Sequence, residues 1–227
     1  MKEPENATAN DALIDEAVVR AARAMLEKGH RRLLGIVGAP GSGKSTLAEG
    51  LVARLGEQAC NVPMDGFHLS NRQLARLGRS ERKGAPDTFD TGGYRALLER
   101  LRQSNASGGT VFAPDFFRDI EEPIAASIAV ADEVPLVITE GNYLLLEEGA
   151  WPQVRALLDE VWFLDVETGL REQWLVERHM RFGRSESQAR EWVASTDRPN
   201  AERVEAVAHR ADRRLCWHET GIAFADR

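Results

Sequence analysis

The chain has 227 residues, 43% hydrophobic and 29% charged, a balance that suits one globular domain with a real core. Its net charge of −7 argues against nucleic acid as the main partner, because phosphate-backbone binders carry a basic surplus. Met1–Asn10 lacks the apolar segment of a signal peptide and no apolar run approaches the ~20 residues that span a bilayer, so no membrane partner and a cytoplasmic location are expected.

Residues 1–10 are expected to be disordered, and 11–227 to form one domain. Apolar positions from Leu13 to Leu26 recur at helical spacing over Asp11–Gly29, with Asp11 available as a cap. Leu33–Val37 is a short apolar strand, followed by a glycine-rich loop and a helix over Ser45–Leu55. Asn61–Met64 reads as a second strand ending at Asp65, Ser70–Pro86 as loop and short helix, and Thr91–Gln103 as a helix. Leu136–Thr139 and Glu160–Leu164 read as strands ending at Glu140 and Asp165. Val166–Phe182 and Ser185–Ser195 read as helices, and Arg213–His218 as a last strand. Cys60 and Cys216 are far apart and form no CxxC pair, which points to free thiols.

Apolar strands alternating with amphipathic helices predict an α/β fold, a parallel sheet with helices on both faces. Ligands gather at the carboxyl ends of such strands. Gly38, Asp65, Glu140 and Asp165 all follow predicted strand ends, so they are expected to share one mouth.

Gly38-Ala39-Pro40-Gly41-Ser42-Gly43-Lys44-Ser45 matches the phosphate-binding pattern G-x-x-x-x-G-K-S between a strand and a helix. Glycines let backbone N–H groups turn toward phosphate oxygens, and the helix start adds its positive end. Lys44 then reaches the β/γ-phosphates, Ser45 offers its hydroxyl to Mg²⁺, and Thr46 continues the nucleotide-binding segment, so ATP and Mg²⁺ are the expected cofactors. No N-K-x-D guanine motif and no L-S-G-G-Q motif accompanies the loop.

Asp65 is placed either to take a proton from an attacking hydroxyl or to hold Mg²⁺ through water. Glu140, after an apolar strand, is the candidate metal-orienting carboxylate. Arg171, Arg178, Arg181 and Arg184 flank Gly183 between two predicted helices, as a lid over about 171–200 would arrange them to meet transferring charge. His68, near Asp65, is a candidate substrate contact, and Lys83 and Arg118 are candidates for an anionic acceptor. The five tryptophans, Trp192 among them, read as core and helix-packing residues.

Five blocks occur in order: the phosphate loop, Asp65-Gly66-Phe67-His68, Arg82 to Asp90 (RKGAPDTFD), Glu140 to Leu145 (EGNYLL) and Asp197-Arg198-Pro199-Asn200-Ala201. Together they resemble the pantothenate kinase, uridine kinase and phosphoribulokinase superfamily, in particular its nucleoside/nucleotide kinase-like branch named for fructose transport. The resemblance implies a P-loop kinase that phosphorylates a hydroxyl of a small metabolite, with a homodimer unsurprising. It implies Asp65 as base, Lys83 and Asp87 flanking the acceptor, Asn142 and Tyr143 lining its pocket, Arg178 in the lid and Asn200 closing the site. Two positions depart from the pattern: Phe117 stands where relatives carry Asp, and Trp174 where they often carry Arg, a role Arg171 would take over. A nucleotide-dependent switch and a nucleoside monophosphate kinase remain open alternatives.

Overall fold

The computed structural model describes residues 14–26, 30–103 and 109–225. The expected disorder over 1–10 and the Asp11 cap lie outside these residues; the first helix is described as α1, Glu16–Leu26, with Val18, Val19, Ala22 and Met25 buried at helical spacing.

Six strands form the main sheet in the order β2-β5-β1-β6-β7-β8. These are β1 (Arg32–Val37), β2 (Ala59–Asn61), β5 (Leu136–Gly141), β6 (Glu160–Asp165), β7 (Arg213–His218) and β8 (Gly221–Phe224). The first five are parallel, and β8 returns antiparallel to β7 as an edge strand the sequence did not reveal. Central strands are buried on both faces, so β5 reads as a continuous run rather than an alternation. Side-chain alternation nevertheless splits the core in two. Leu34, Ile36 and Ile138 pack on one side with α1 and α2 (Lys44–Leu55). Leu33, Val37 and Val137 pack on the other side against α4 (Thr91–Gln103) and α5 (Trp151–Arg155).

The second strand is shorter and earlier than expected. It ends at Asn61, and Asp65 rides instead on a 3₁₀ turn, Met64–Phe67, because Pro63 at extended φ/ψ leads into the turn. Asn71–Arg76 forms the short helix α3. A hairpin, β3 (Val111–Phe117) with β4 (Glu122–Val130), stands apart from the main sheet as a two-stranded antiparallel ribbon. Helices α6 (Thr168–Arg181) and α7 (Glu186–Trp192) come after β6, with Ser185 and Gln188 closing a capping box at the start of α7. One π-helical turn, Val193–Asp197, joins α7 to α8 (Arg198–Glu205).

Candidate functional site

The phosphate loop leaves β1 and is fastened from below. Gly41 and Gly43 hold φ of 79° and 86°, a region closed to most side chains. A Cβ on Gly43 would meet the Trp217 ring at 2.8 Å, so the loop also needs glycine there for closeness. Trp217 Nε1 donates to the Ser42 carbonyl at 2.8 Å, and Arg171 Nη1 reaches the Pro40 carbonyl at 3.4 Å. Helix α2 begins at Lys44 with no side-chain cap and no acid in its first turn, which leaves its N–H groups and positive end for an anion. Ser42 Oγ is buried without a hydrogen-bond partner among the described residues. An uncapped helix start, an orphaned hydroxyl and glycine backbone are what a triphosphate would satisfy.

Register explains the carboxylate beside the loop. Ile36 pairs with Glu140, so Glu140 leaves β5 at the level where β1 gives way to the loop. Ser45 Oγ donates to Glu140 Oε1 at 2.9 Å. A hydroxyl and a carboxylate oxygen form a hard donor set suited to Mg²⁺, with phosphate and water completing its shell. Burial pushes Glu140 up and Lys44 down from their ordinary pKa values, and each is the other's main counter-charge. Asp65 adds negative potential at Lys44. Its Oδ2 lies 3.8 Å from Arg118 Nη2 and its backbone carbonyl accepts from His68 Nδ1 at 2.8 Å.

A cleft of about 520 Å³ opens over these groups. One wall carries His68, Lys83, Phe116 and Arg118. His68 packs between Phe89 and Phe116 at centroid distances of 4.1 and 4.8 Å, its ring tilted to both, and burial lowers its pKa. Lys83 donates to Asn71 Oδ1 at 2.7 Å and to the Glu121 carbonyl, in the turn of the hairpin. Asn142 lines the cleft with a buried Oδ1 that has no partner among the described residues. The facing wall comes from α6, the connection after it, α7 and α8, through Arg178, Arg184, Trp192 and Asn200 respectively. Burial lowers the Arg178 pKa, with Arg118 adding to the effect and Asp197, Asp65 and Glu140 opposing it.

Several expected neighbours lie elsewhere. Asp165 is half exposed and pairs with Arg214 at 3.2 Å, away from the cleft. Asp87 pairs with Arg79 and Arg82 and faces a separate hollow beside Trp151 and Arg203. Tyr143 is fully buried and donates to the Gly84 carbonyl, so it holds the loop that carries Lys83 rather than lining the pocket. Of the four arginines around Gly183, only Arg178 and Arg184 line the cleft. Arg171 is 1% exposed, tied to Pro40 and Glu205, and braces the phosphate loop, so it does not replace a missing contact at position 174. Arg181 is exposed. Trp174 packs edge-on to Trp217 at 5.6 Å, which ties α6 to β7 behind the loop. Phe117 is exposed at the end of β3 and does not line the cleft. Trp192, read as a packing residue, is a cleft residue, as are Asn71 and Glu121, which carried no motif, and Phe116, which stands beside the departure at Phe117.

Comparison with known proteins agrees with this geometry. The sequence profile of the Phosphoribulokinase / Uridine kinase family matches residues 33–205. A crystal structure from Silicibacter sp. TM1040, of a kinase named for a fructose transport system, superposes with a TM-score of 0.80 at 37% identity, covering 89% of this chain and 98% of that one. A Schizosaccharomyces pombe protein carrying a uridine kinase name is 33% identical over 81% of this chain and 80% of its own length. A pantothenate kinase of Vibrio cholerae is 29% identical over 66% of this chain and 50% of its own length. The chain therefore belongs to the phosphoribulokinase/uridine kinase family, P-loop phosphotransferases that use ATP with Mg²⁺ and a hydroxyl acceptor.

Proposed function

We propose that this chain transfers the γ-phosphate of ATP to a hydroxyl of a small polar metabolite, a sugar, a nucleoside or a pantothenate-like alcohol. The observation that carries the reading is the Ser45–Glu140 hydrogen bond of 2.9 Å at the foot of the phosphate loop, with Lys44 between Glu140 and Asp65 in charge terms. Loop amides and Lys44 hold the triphosphate, and Ser45 and Glu140 would hold Mg²⁺, which supplies charge neutralisation across the phosphates. Asp65 orients the acceptor hydroxyl and takes its proton as the new O–P bond forms and the bond to ADP breaks. Helices α6 and α7 form a lid whose Arg178 and Arg184 meet the charge in transit, while Phe182 and Trp192 exclude water. His68, Lys83, Arg118 and Asn142 form the acceptor side, and Asn200 closes it.

Two observations favour a hydroxyl metabolite that carries no phosphate over a nucleoside monophosphate. Lys83 is already held by Asn71 and Glu121, and Arg118 faces Asp65, so neither cation stands free for a second phosphate. The names of the relatives, which point to uridine, pantothenate and fructose, fall in the same range.

The test is ADP release from Mg·ATP against a panel of sugars, sugar alcohols, nucleosides, nucleoside monophosphates and pantothenate, with Lys44→Ala as the blank. One class should raise turnover well above the rate without acceptor. Asp65→Asn should keep nucleotide binding and lose at least about 100-fold in turnover. Undiminished turnover in Asp65→Asn would remove Asp65 from the base role, and ATP consumption that answers only to a protein partner would favour a switch.

A further inference from the structure

On the lid wall, Arg184 and Trp192 stand against two side chains, His179 and Asp197, that have no part in the proposed transfer. His179 Nε2 lies 2.8 Å from Asp197 Oδ2, and both side chains are largely buried. Arg184 Nη1 approaches His179 Nδ1 at 3.5 Å, and the Arg184 guanidinium lies 3.9 Å from the centroid of the Trp192 ring. All four residues line the cleft. They come from three segments: His179 from the end of α6, Arg184 from the connection after Gly183, and Trp192 and Asp197 from α7 and the π turn. A π turn inserts one residue relative to an α-helix and so re-aims the side chains at its far end. Asp197 is the last residue of the turn.

Elementary acid–base chemistry fixes the roles within the cluster. Asp197 Oδ2 can only accept, so Nε2–H donates to it, and Nδ1 offers its lone pair to the Arg184 N–H. Arg184 is thus held by an aromatic face and a ring nitrogen. Among the described residues it makes no ion pair with a carboxylate, in contrast to Arg198 and Arg190, which bridge Glu172 and Glu186. A guanidinium held this way keeps its full charge for an incoming anion.

We infer that Asp197 and His179 are positioning residues that, with the Trp192 ring, pre-set Arg184 for the terminal phosphate of the bound nucleotide. This rests on the nucleotide-binding reading of the phosphate loop. The consequence is a preference for ATP over ADP that depends on residues with no need to touch phosphate themselves.

The experiment measures dissociation constants of Mg·ATP and Mg·ADP by titration calorimetry, without any acceptor. Variants are Arg184→Ala, His179→Phe, His179→Gln and the double variant Arg184→Ala/His179→Phe, each checked by thermal unfolding. Arg184→Ala should lower the ATP-over-ADP preference roughly 10-fold, the scale of one charge-assisted contact. His179→Phe should lower it by a similar factor, and the double variant should be no worse than Arg184→Ala alone. Methylguanidinium should restore the preference in Arg184→Ala while Trp192 is intact, which a purely structural role for the cluster does not foresee. An unchanged preference in both folded His179 variants, or losses that add in the double variant, would overturn the inference while leaving the nucleotide reading in place. A wild-type chain that binds neither nucleotide would overturn both.

Discussion

His68 shows how one side chain links packing to conditions. Burial between Phe89 and Phe116 lowers its pKa from an ordinary value of 6.5, with Asp65 partly opposing. The fold therefore prefers the neutral ring, so the unfolded chain binds more protons in acid. Its contribution to stability is complete above the unfolded value of 6.5 and is lost as the pH falls toward the lower folded value. Thermal unfolding from pH 7.5 to 5 should show a smaller acid loss in His68→Gln than in the wild type. Parallel curves would mean that Asp65, Lys83 and Glu121, the charged groups facing the ring, set the dependence instead. At this scale the sequence was most informative where chemistry fixes spacing. Lys44, Ser45, Asp65 and Glu140 meet because a phosphate loop constrains its strand and its neighbour. It was least informative about direction, since helical spacing cannot say that Arg171 turns under the loop while Arg178 faces the cleft.

The elements around the cleft depend on close contacts at a few joints. Gly66 is one, where the 3₁₀ turn carrying Asp65 meets the hairpin. A Cβ there would stand 2.4 Å from the Pro114 carbonyl oxygen, which is backbone and cannot swing aside. Gly66→Ala should push the turn off β3, cost about 1–3 kcal/mol of stability and lower turnover through Asp65, measured by denaturant melts and the acceptor assay. Unaltered stability would mean that the hairpin shifts freely. The strand before the loop and the helix after it were legible, because the motif and the apolar run agree. The hairpin was not. β3 is interrupted by Pro114 and has a register shift between Ala113 and Asp115, while β4 exposes most of its middle residues, so neither shows a clean alternation. The π turn was likewise invisible, since its residues read as an ordinary helix end.

On the scale of the whole molecule, the sheet presents its loops on one rim, and binding there should be felt throughout. A nucleotide at 100 times its dissociation constant adds about 2.7 kcal/mol, which for a chain of this size raises the melting temperature by roughly 5–10 °C. Mg·ATP should produce such a shift in the wild type, EDTA should reduce it, and Lys44→Ala should lack it, all read by differential scanning calorimetry. An equal shift in Lys44→Ala would place the nucleotide elsewhere. The order of strands carries a further consequence. The indole that holds the Ser42 carbonyl is Trp217 on β7, 175 residues downstream in the chain. During synthesis, residues 38–45 leave the ribosome long before their brace exists. A nascent chain can pair β1 with β5 and β6 and still lack the donor that fastens the loop. The phosphate cradle, although encoded near the beginning, is completed only when the last strands dock.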